Sequence, residues 1–275
     1  MRQAPEEAAR KEMDLPEGVL PGRWQLRTIR ATIAWLQHYT LSGVWRVLRR
    51  FGLARRTGLV QHYSPDPAYA EKQAHLHACL REAARWPDEV VFVFLDEMGY
   101  YRWPEAAADW GASAPATAPI ADRAASKQKQ WRLIGAMNAV TGQVDYLDGY
   151  IVGRAKVIAL YQRLAGVYAG ARRIYVGQDN WSIHKHPEVL AALAGLPQIE
   201  PVWLPTYAPW LNPIEKLWRW LREQVLKLHR LAGHWEVLRS SVNGFLDQFG
   251  AGSEALLRYV GLLGEGKLAQ VIRSP

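Results

Sequence analysis

Val90-Val91-Phe92-Val93-Phe94-Leu95-Asp96 is the stretch that decides the fold. An unbroken apolar, β-branched and aromatic run of this length reads as a buried central strand. It stops on a carboxylate. Ile174-Tyr175-Val176-Gly177-Gln178-Asp179 repeats that arrangement further along the chain. A third carboxylate, Glu215, stands in the first turn of the helical stretch Asn212-Pro213-Ile214-Glu215-Lys216-Leu217-Trp218. An aspartate at the end of a buried strand is costly unless a cation or a partner holds it. Three carboxylates brought together repel one another, and divalent metal is the usual remedy. The pattern reads as a two-metal phosphoryl-transfer site that cuts and joins DNA.

Working outward, Met98 to Trp103 reads as a second strand, returning after a tight turn at Gly99. Pro104 to Lys129 is rich in Ala, Ser and Pro and reads as an irregular loop. Trp131 to Val140 and Val144 to Ile151 form a predicted hairpin about Thr141-Gly142. A helix over Ala155 to Tyr168, the strand ending at Asp179, a short helix over His186 to Ala194 and a strand over Ile199 to Leu204 follow. Asn212 starts a helix predicted to run to about His229, and helices near Trp235 to Phe249 and Ser253 to Leu263 close the chain. This order predicts an α/β fold, a mixed sheet with helices on its faces.

Ahead of it, Leu26, Ile29, Ile33 and Leu36 recur at helical spacing. Ser42 is the expected N-cap of a second helix with the stripe Val44, Trp45, Leu48 and Phe51. Two helices joined by a short turn make a helix-turn-helix candidate. Arg46, Arg49, Arg50, Arg55 and Arg56 cluster on and just after the second helix, where arginine suits both phosphates and base edges. A helical hairpin with a solvated basic face is the plainer reading. The expected organisation is a flexible tail over 1–20, the helix-turn-helix over 21–56, a linker and helix over 57–88, and a catalytic domain over 89–275.

A net charge of +8 favours a polyanionic partner. The single cysteine, Cys79, rules out an intrachain disulfide and a zinc site built from thiolates, in keeping with a reducing cytosol. No apolar run approaches the length of a membrane span, and no signal peptide is expected at the front.

Two of the carboxylates also have a plain explanation. Asp179-Asn180 is a favoured turn pair. Asn212, Pro213 and Glu215 fall at N-cap, N1 and N3 of the predicted helix, close to a capping box. Glu215, Arg219 and Arg222 share one strip of that helix, beside the apolar face of Ile214, Leu217, Trp218, Leu221 and Val225. The strip could hold metal and DNA phosphate together, or be an ordinary i, i+4 ion pair. Glu97 points to the opposite sheet face if the strand persists through it.

Taken together, three blocks of text resemble the mariner-type bacterial insertion-sequence DDE transposases of the ribonuclease-H-like superfamily. They are Phe94-Leu95-Asp96-Glu97-Met98-Gly99, then Gln178-Asp179-Asn180-Trp181-Ser182-Ile183-His184-Lys185, then Trp203-Leu204-Pro205-Thr206-Tyr207-Ala208-Pro209-Trp210-Leu211-Asn212-Pro213-Ile214-Glu215. The 35 residues between Asp179 and Glu215 suit that family. The resemblance implies a ribonuclease-H-like mixed sheet with flanking helices, preceded by a small helix-turn-helix. It implies Asp96, Asp179 and Glu215 as catalytic ligands of Mg²⁺ or Mn²⁺, two ions, with Gln178, Asn180 and His184 orienting them or the phosphate. It also implies a transposase acting on terminal inverted repeats and target double-stranded DNA, as a homodimer, in the bacterial cytoplasm at the nucleoid. Insertion beside a TA dinucleotide is a family property that no residue here displays. Two other readings stay open: a truncated or inactive transposase-derived DNA-binding protein, and a nuclease of ribonuclease-H type. Family members usually carry two helix-turn-helix units, and here one is visible, so a late start or a degraded element is expected.

Overall fold

The computed structural model describes residues 24–55, 63–110, 118–123 and 127–274. The chain divides into two compact units, Met1–Gln61 and His62–Pro275.

In the first unit, α1 (Leu26–Thr32) is followed by a 3₁₀ turn (Ala34–Leu36) and α2 (Leu41–Arg50). The expected single apolar helix through Leu36 breaks at Ile33, whose backbone is extended at φ −95°, ψ 109°. Just before the break, the Thr32 hydroxyl bonds back to the Thr28 carbonyl, a contact that loosens helix ends. The cap of α2 is Thr40 rather than Ser42: the Thr40 Oγ1 accepts from the Gly43 amide at 3.1 Å, while Ser42 already lies inside the helix.

The second unit opens with α3 (Tyr69–Arg85) and then builds β1 (Val90–Tyr101), β2 (Gln130–Asn138), β3 (Val144–Gly149), α4 (Arg154–Val167), β4 (Arg173–Gln178), α5 (Pro187–Ala194) and β5 (Ile199–Trp203). It closes with α6 (Ile214–Leu221), α7 (Trp235–Asp247), α8 (Glu254–Val260) and α9 (Lys267–Arg273). The sheet order is β3-β2-β1-β4-β5. β1 pairs antiparallel with β2 and parallel with β4, so the expected mixed sheet is the observed one.

The apolar run at Val90 does form the central strand. The turn expected at Gly99 does not occur. β1 continues to Tyr101, because β2 supplies a partner for every residue from Val93 to Tyr101, Gly99 pairing with Arg132. Alternation along β1 sorts the core. Phe92, Phe94, Met98 and Tyr100 pack with α3, α6, α7 and α8 on one face, and Val91, Val93 and Leu95 pack with α4 and α5 on the other.

The helix begun near Glu215 is also shorter than expected. α6 stops at Leu221 and passes into a π-helical turn over Arg222–Leu226. The chain is then drawn away by Glu105, whose amide donates to the Leu226 carbonyl at 3.0 Å and whose carbonyl accepts from the Leu228 amide at 3.0 Å.

Candidate active site

β1 and β4 run parallel until Phe94 pairs with Gly177. Beyond that point β4 ends, while β1 keeps its pairing with β2. Asp96 and Asp179, each two residues beyond that last pair, therefore stand where the two strands part. Asp96 lies mid-strand, opposite Gly135 of β2. Asp179 follows β4 directly, and its Oδ1 accepts from the Trp181 amide at 2.9 Å. The turn geometry expected of Asp179-Asn180 is thus present, and it leaves the Asp179 side chain 58% exposed.

Glu215 arrives by a different device. The predicted capping box is absent. Asn212 makes no cap; α6 begins after Pro213 with no side-chain cap. The Asn212 Nδ2 instead donates to the Leu95 carbonyl at 3.1 Å, a buried bond across 117 residues of sequence. It pins the start of α6 to the residue before Asp96. Glu215 forms no salt bridge among the described residues, so the i, i+4 pair with Arg219 is not made either. The ion-pair partner of Arg222 is Glu105, at 3.2 Å.

The electrostatics record this meeting. Asp96 is held well above the ordinary carboxylate range, first by burial and then by repulsion from Glu215 and Glu97. Glu215 is raised by burial and by Asp179, against the lowering effect of Arg219 and Arg222. Glu215 thus feels Asp179 and acts on Asp96. Among the described residues, no three His, Cys, Asp or Glu side chains stand close enough to hold a metal ion as they are.

Gln178, Asn180 and His184 surround this point. The buried Gln178 accepts from the Tyr161 hydroxyl at 2.6 Å through its Oε1, and its Nε2 has no partner among the described residues. Asn180 donates to the Leu204 carbonyl at 2.7 Å and accepts from Lys185 at 2.9 Å. His184 is fully buried, with Nε2 3.3 Å from Glu97 and 3.7 Å from Asp179. Glu97 does face away from Asp96, as strand alternation requires: it meets His184, whereas Asp96 meets Trp218 of α6.

Three further residues escaped sequence reasoning. Asp66 accepts from the Thr206 amide at 2.8 Å, the Ala68 amide at 3.0 Å and Lys72 at 2.7 Å, while Ser64 donates to the Thr206 carbonyl at 2.6 Å. This clasp grips the loop before Glu215, where Tyr207 adopts a left-handed backbone at φ 53°. Trp210 of the same loop donates to the Tyr69 hydroxyl at 3.1 Å, which makes it a loop anchor. The proline-flanked Asp66 offered only a turn signal. Asn212 looked like a cap, and Trp218 like plain core. Of the basic residues, Arg46, Arg49, Arg50 and Arg55 are exposed on the first unit, Arg49 lying over the Trp45 ring at 5.9 Å. Arg56 lies outside the described residues. No helix among the described residues is long and apolar enough to cross a membrane.

The family model of the DDE superfamily endonucleases matches residues 91–238, from the central strand into α7. The chain belongs to that family. It is 29% identical over 174 residues to an uncharacterized 39 kDa protein of insertion element IS630 from Shigella sonnei, an alignment covering 63% of this chain. The chain spans about half the length of that relative, 49% of it. Among solved structures, the Mos1 transposase paired-end complex with the left transposon end superposes with a TM-score of 0.59 at 16% identity, covering 94% of this chain and 81% of that one. The Mos1 mariner paired-end complex with Mn matches at 0.59 and 17% identity over the same shares. The fold is therefore of the ribonuclease-H-like kind that the sequence resemblance implied, and the relatives are of the insertion-element and mariner type.

Proposed function

We propose that the chain is a transposase that binds transposon-end DNA and catalyses metal-dependent cleavage and strand transfer through Asp96, Asp179 and Glu215. The observation that carries this reading is the Asn212–Leu95 hydrogen bond. It ties the start of the helix that carries Glu215 to the residue before Asp96, where a capping box would have explained Glu215 locally.

The residues fit a hard divalent cation. The donors are all carboxylate oxygens, the type Mg²⁺ and Mn²⁺ prefer. Asp96 is already pushed toward its protonated form by burial and by neighbouring carboxylates, a repulsion a cation relieves. Two such ions, held by Asp96, Asp179 and Glu215, would activate a water or a 3′-hydroxyl and stabilise the leaving oxygen. The chain's own residues do the positioning. Asn180 and Asp66 hold the start of the loop that leads to α6, at Leu204 and Thr206. His184 sits under Asp179 and Glu97. Arg219 and Arg222 bring positive charge to Glu215, on the side where a DNA backbone would approach. Arg46, Arg49, Arg50, Arg55 and Arg56 are the proposed DNA contacts of the first unit.

The paired-end and Mn-containing states of the similarly folded Mos1 protein support this assignment of partner and metal. The partners are terminal inverted repeats and target DNA, handled by a homodimer because two ends must be joined, in the bacterial cytoplasm at the nucleoid. The test is a strand-transfer assay with Mn²⁺, pre-cleaved end DNA and a plasmid target. Joined product that vanishes in Asp96→Asn, Asp179→Asn and Glu215→Gln is expected. Undiminished joining in all of them overturns the proposal.

A further inference from the structure

Asp96 is not held by its own strand alone. Its Oδ2 accepts from the Trp218 indole Nε1 at 3.0 Å. Trp218 is 3% exposed and lies one helical turn after Glu215. The carboxylate and the indole therefore leave α6 on the same side. The indole reaches Asp96 by passing over β2, and the residue beneath it is Gly135. A Cβ at Gly135 would lie 2.8 Å from the Trp218 Cη2 and 3.1 Å from its Cζ2. The first of these is a separation that something must give way to. Gly135 is also the residue paired with Asp96 across β1 and β2. The gap in the sheet surface, the ring that fills it and the carboxylate it reaches thus lie in one line across two strands and a helix.

A buried indole N–H needs an acceptor, and that alone would account for a bond to some oxygen. What it does not account for is a glycine at the strand position opposite the carboxylate, leaving room for the ring at that spot. An aspartate carboxylate turns about a broad, roughly two-fold torsion. A donor locked on one oxygen fixes that rotation. We infer that Trp218 is a positioning residue for Asp96, with Gly135 as the space that admits it: the indole occupies Oδ2, fixes the carboxylate plane and reserves Oδ1 for the cation. This rests on the metal-dependent reading above. It adds that α6 delivers two functions from adjacent turns, Glu215 to the site and Trp218 to the orientation of Asp96.

The test uses the full chain with Trp218→Phe, Gly135→Ala and the double variant, and reads Mn²⁺ binding by calorimetry in the absence of DNA. Trp218→Phe keeps an aromatic ring but removes the donor together with the part of the indole that lies over Gly135. Gly135→Ala keeps the donor and displaces the ring. Both are expected to weaken Mn²⁺ binding by about tenfold, the usual scale for losing a hydrogen bond to a ligating carboxylate. The double variant is expected to be no weaker than Trp218→Phe, because both substitutions break the same bond. Val242→Ala, in the α7 core on the same face, supplies a destabilised control expected to bind Mn²⁺ as wild type does. Wild-type Mn²⁺ affinity in Trp218→Phe, or full additivity in the double variant, overturns the inference. A wild-type chain and an Asp96→Asn chain that bind Mn²⁺ equally overturn the metal reading itself. Loss in Asp96→Asn with none in Trp218→Phe overturns only the role of Trp218.

Discussion

Asn212→Ala separates stability from catalysis at one position. The Asn212 side chain is buried, donates to the Leu95 carbonyl at 3.1 Å and has no partner for its own Oδ1 among the described residues. Removing it leaves the buried Leu95 carbonyl without that donor, a cost of about 1–3 kcal/mol, and also removes an unpaired buried oxygen that itself costs about 1–3 kcal/mol. These changes oppose each other, so the expected net effect is within about 1 kcal/mol of zero. Against the ~5–15 kcal/mol of a folded domain, the variant remains almost wholly native. The effect on the site is of another order. Without the tether, the start of α6 is free to shift against β1, and Glu215 shifts with it. A misplacement of about 1 Å at a catalytic group costs on the order of 10²-fold in rate. The assay is single-turnover cleavage of labelled end DNA at saturating Mn²⁺, with urea unfolding followed on the same preparation. The expected result is a loss of about 10²-fold in cleavage with the urea midpoint almost unmoved. Unchanged cleavage would refute the reasoning, because it would mean that packing along α6 places Glu215 without Asn212.

Other outcomes follow from particular contacts. Asp66 is held well below the ordinary carboxylate range, first by the hydrogen bond from Lys72 and then by the Thr206 amide. Its folded pKa lies below its unfolded one, so its stabilisation is complete above the ordinary carboxylate value of about 4 and drains as pH falls below it. Asp66→Asn should therefore lower the urea midpoint at neutral pH and flatten its decline into acid; equal acid slopes for the two proteins would rule this out. Gly177→Ala places a Cβ 2.8 Å from the Phe92 Cζ and 2.9 Å from its Cε1, and should cost about 1–3 kcal/mol through overpacking, read by urea unfolding. Replacing Arg46, Arg49 and Arg50 with Gln should weaken DNA binding alike for all sequences and reduce the salt slope by about one per lost phosphate contact; an unchanged slope in a salt titration would remove these residues from the DNA interface.

The parts of the site that rest on local pattern were legible. β1 announced itself as a continuous apolar run, because burial on both faces imposes that composition, and Asp179 could be read as the residue leaving a buried strand, whereas Asp96 ends the apolar run but not the strand, which continues to Tyr101. Glu97 could be assigned to the opposite face because strand alternation is a local rule, and the structure places it against His184. The misreadings share one cause. Gly99 looked like a turn because glycine is a punctuator by itself; whether the strand continues depends on β2, about thirty residues away, being there to pair with it. The helix after Glu215 was drawn too long because its apolar stripe runs on, while Glu105 captures the backbone at Leu226 and Leu228. Asp66 gave no sign of its grip on Thr206 because that contact spans 140 residues.

The sequence by itself determined the central buried strand and its inner faces, since these follow from side-chain periodicity, and it offered Asp96, Asp179 and Glu215 as the candidate carboxylates. Only the tertiary structure decided that Glu215 comes within electrostatic reach of Asp96. Asn212 had two acceptable uses, a local cap and a distant carbonyl, and a cap or a single hydrogen bond is worth a similar ~1 kcal/mol. No local pattern separates two options so close in energy. The packing of α6 on β1, with Trp218 over Gly135 and Asn212 on Leu95, is what tips the choice.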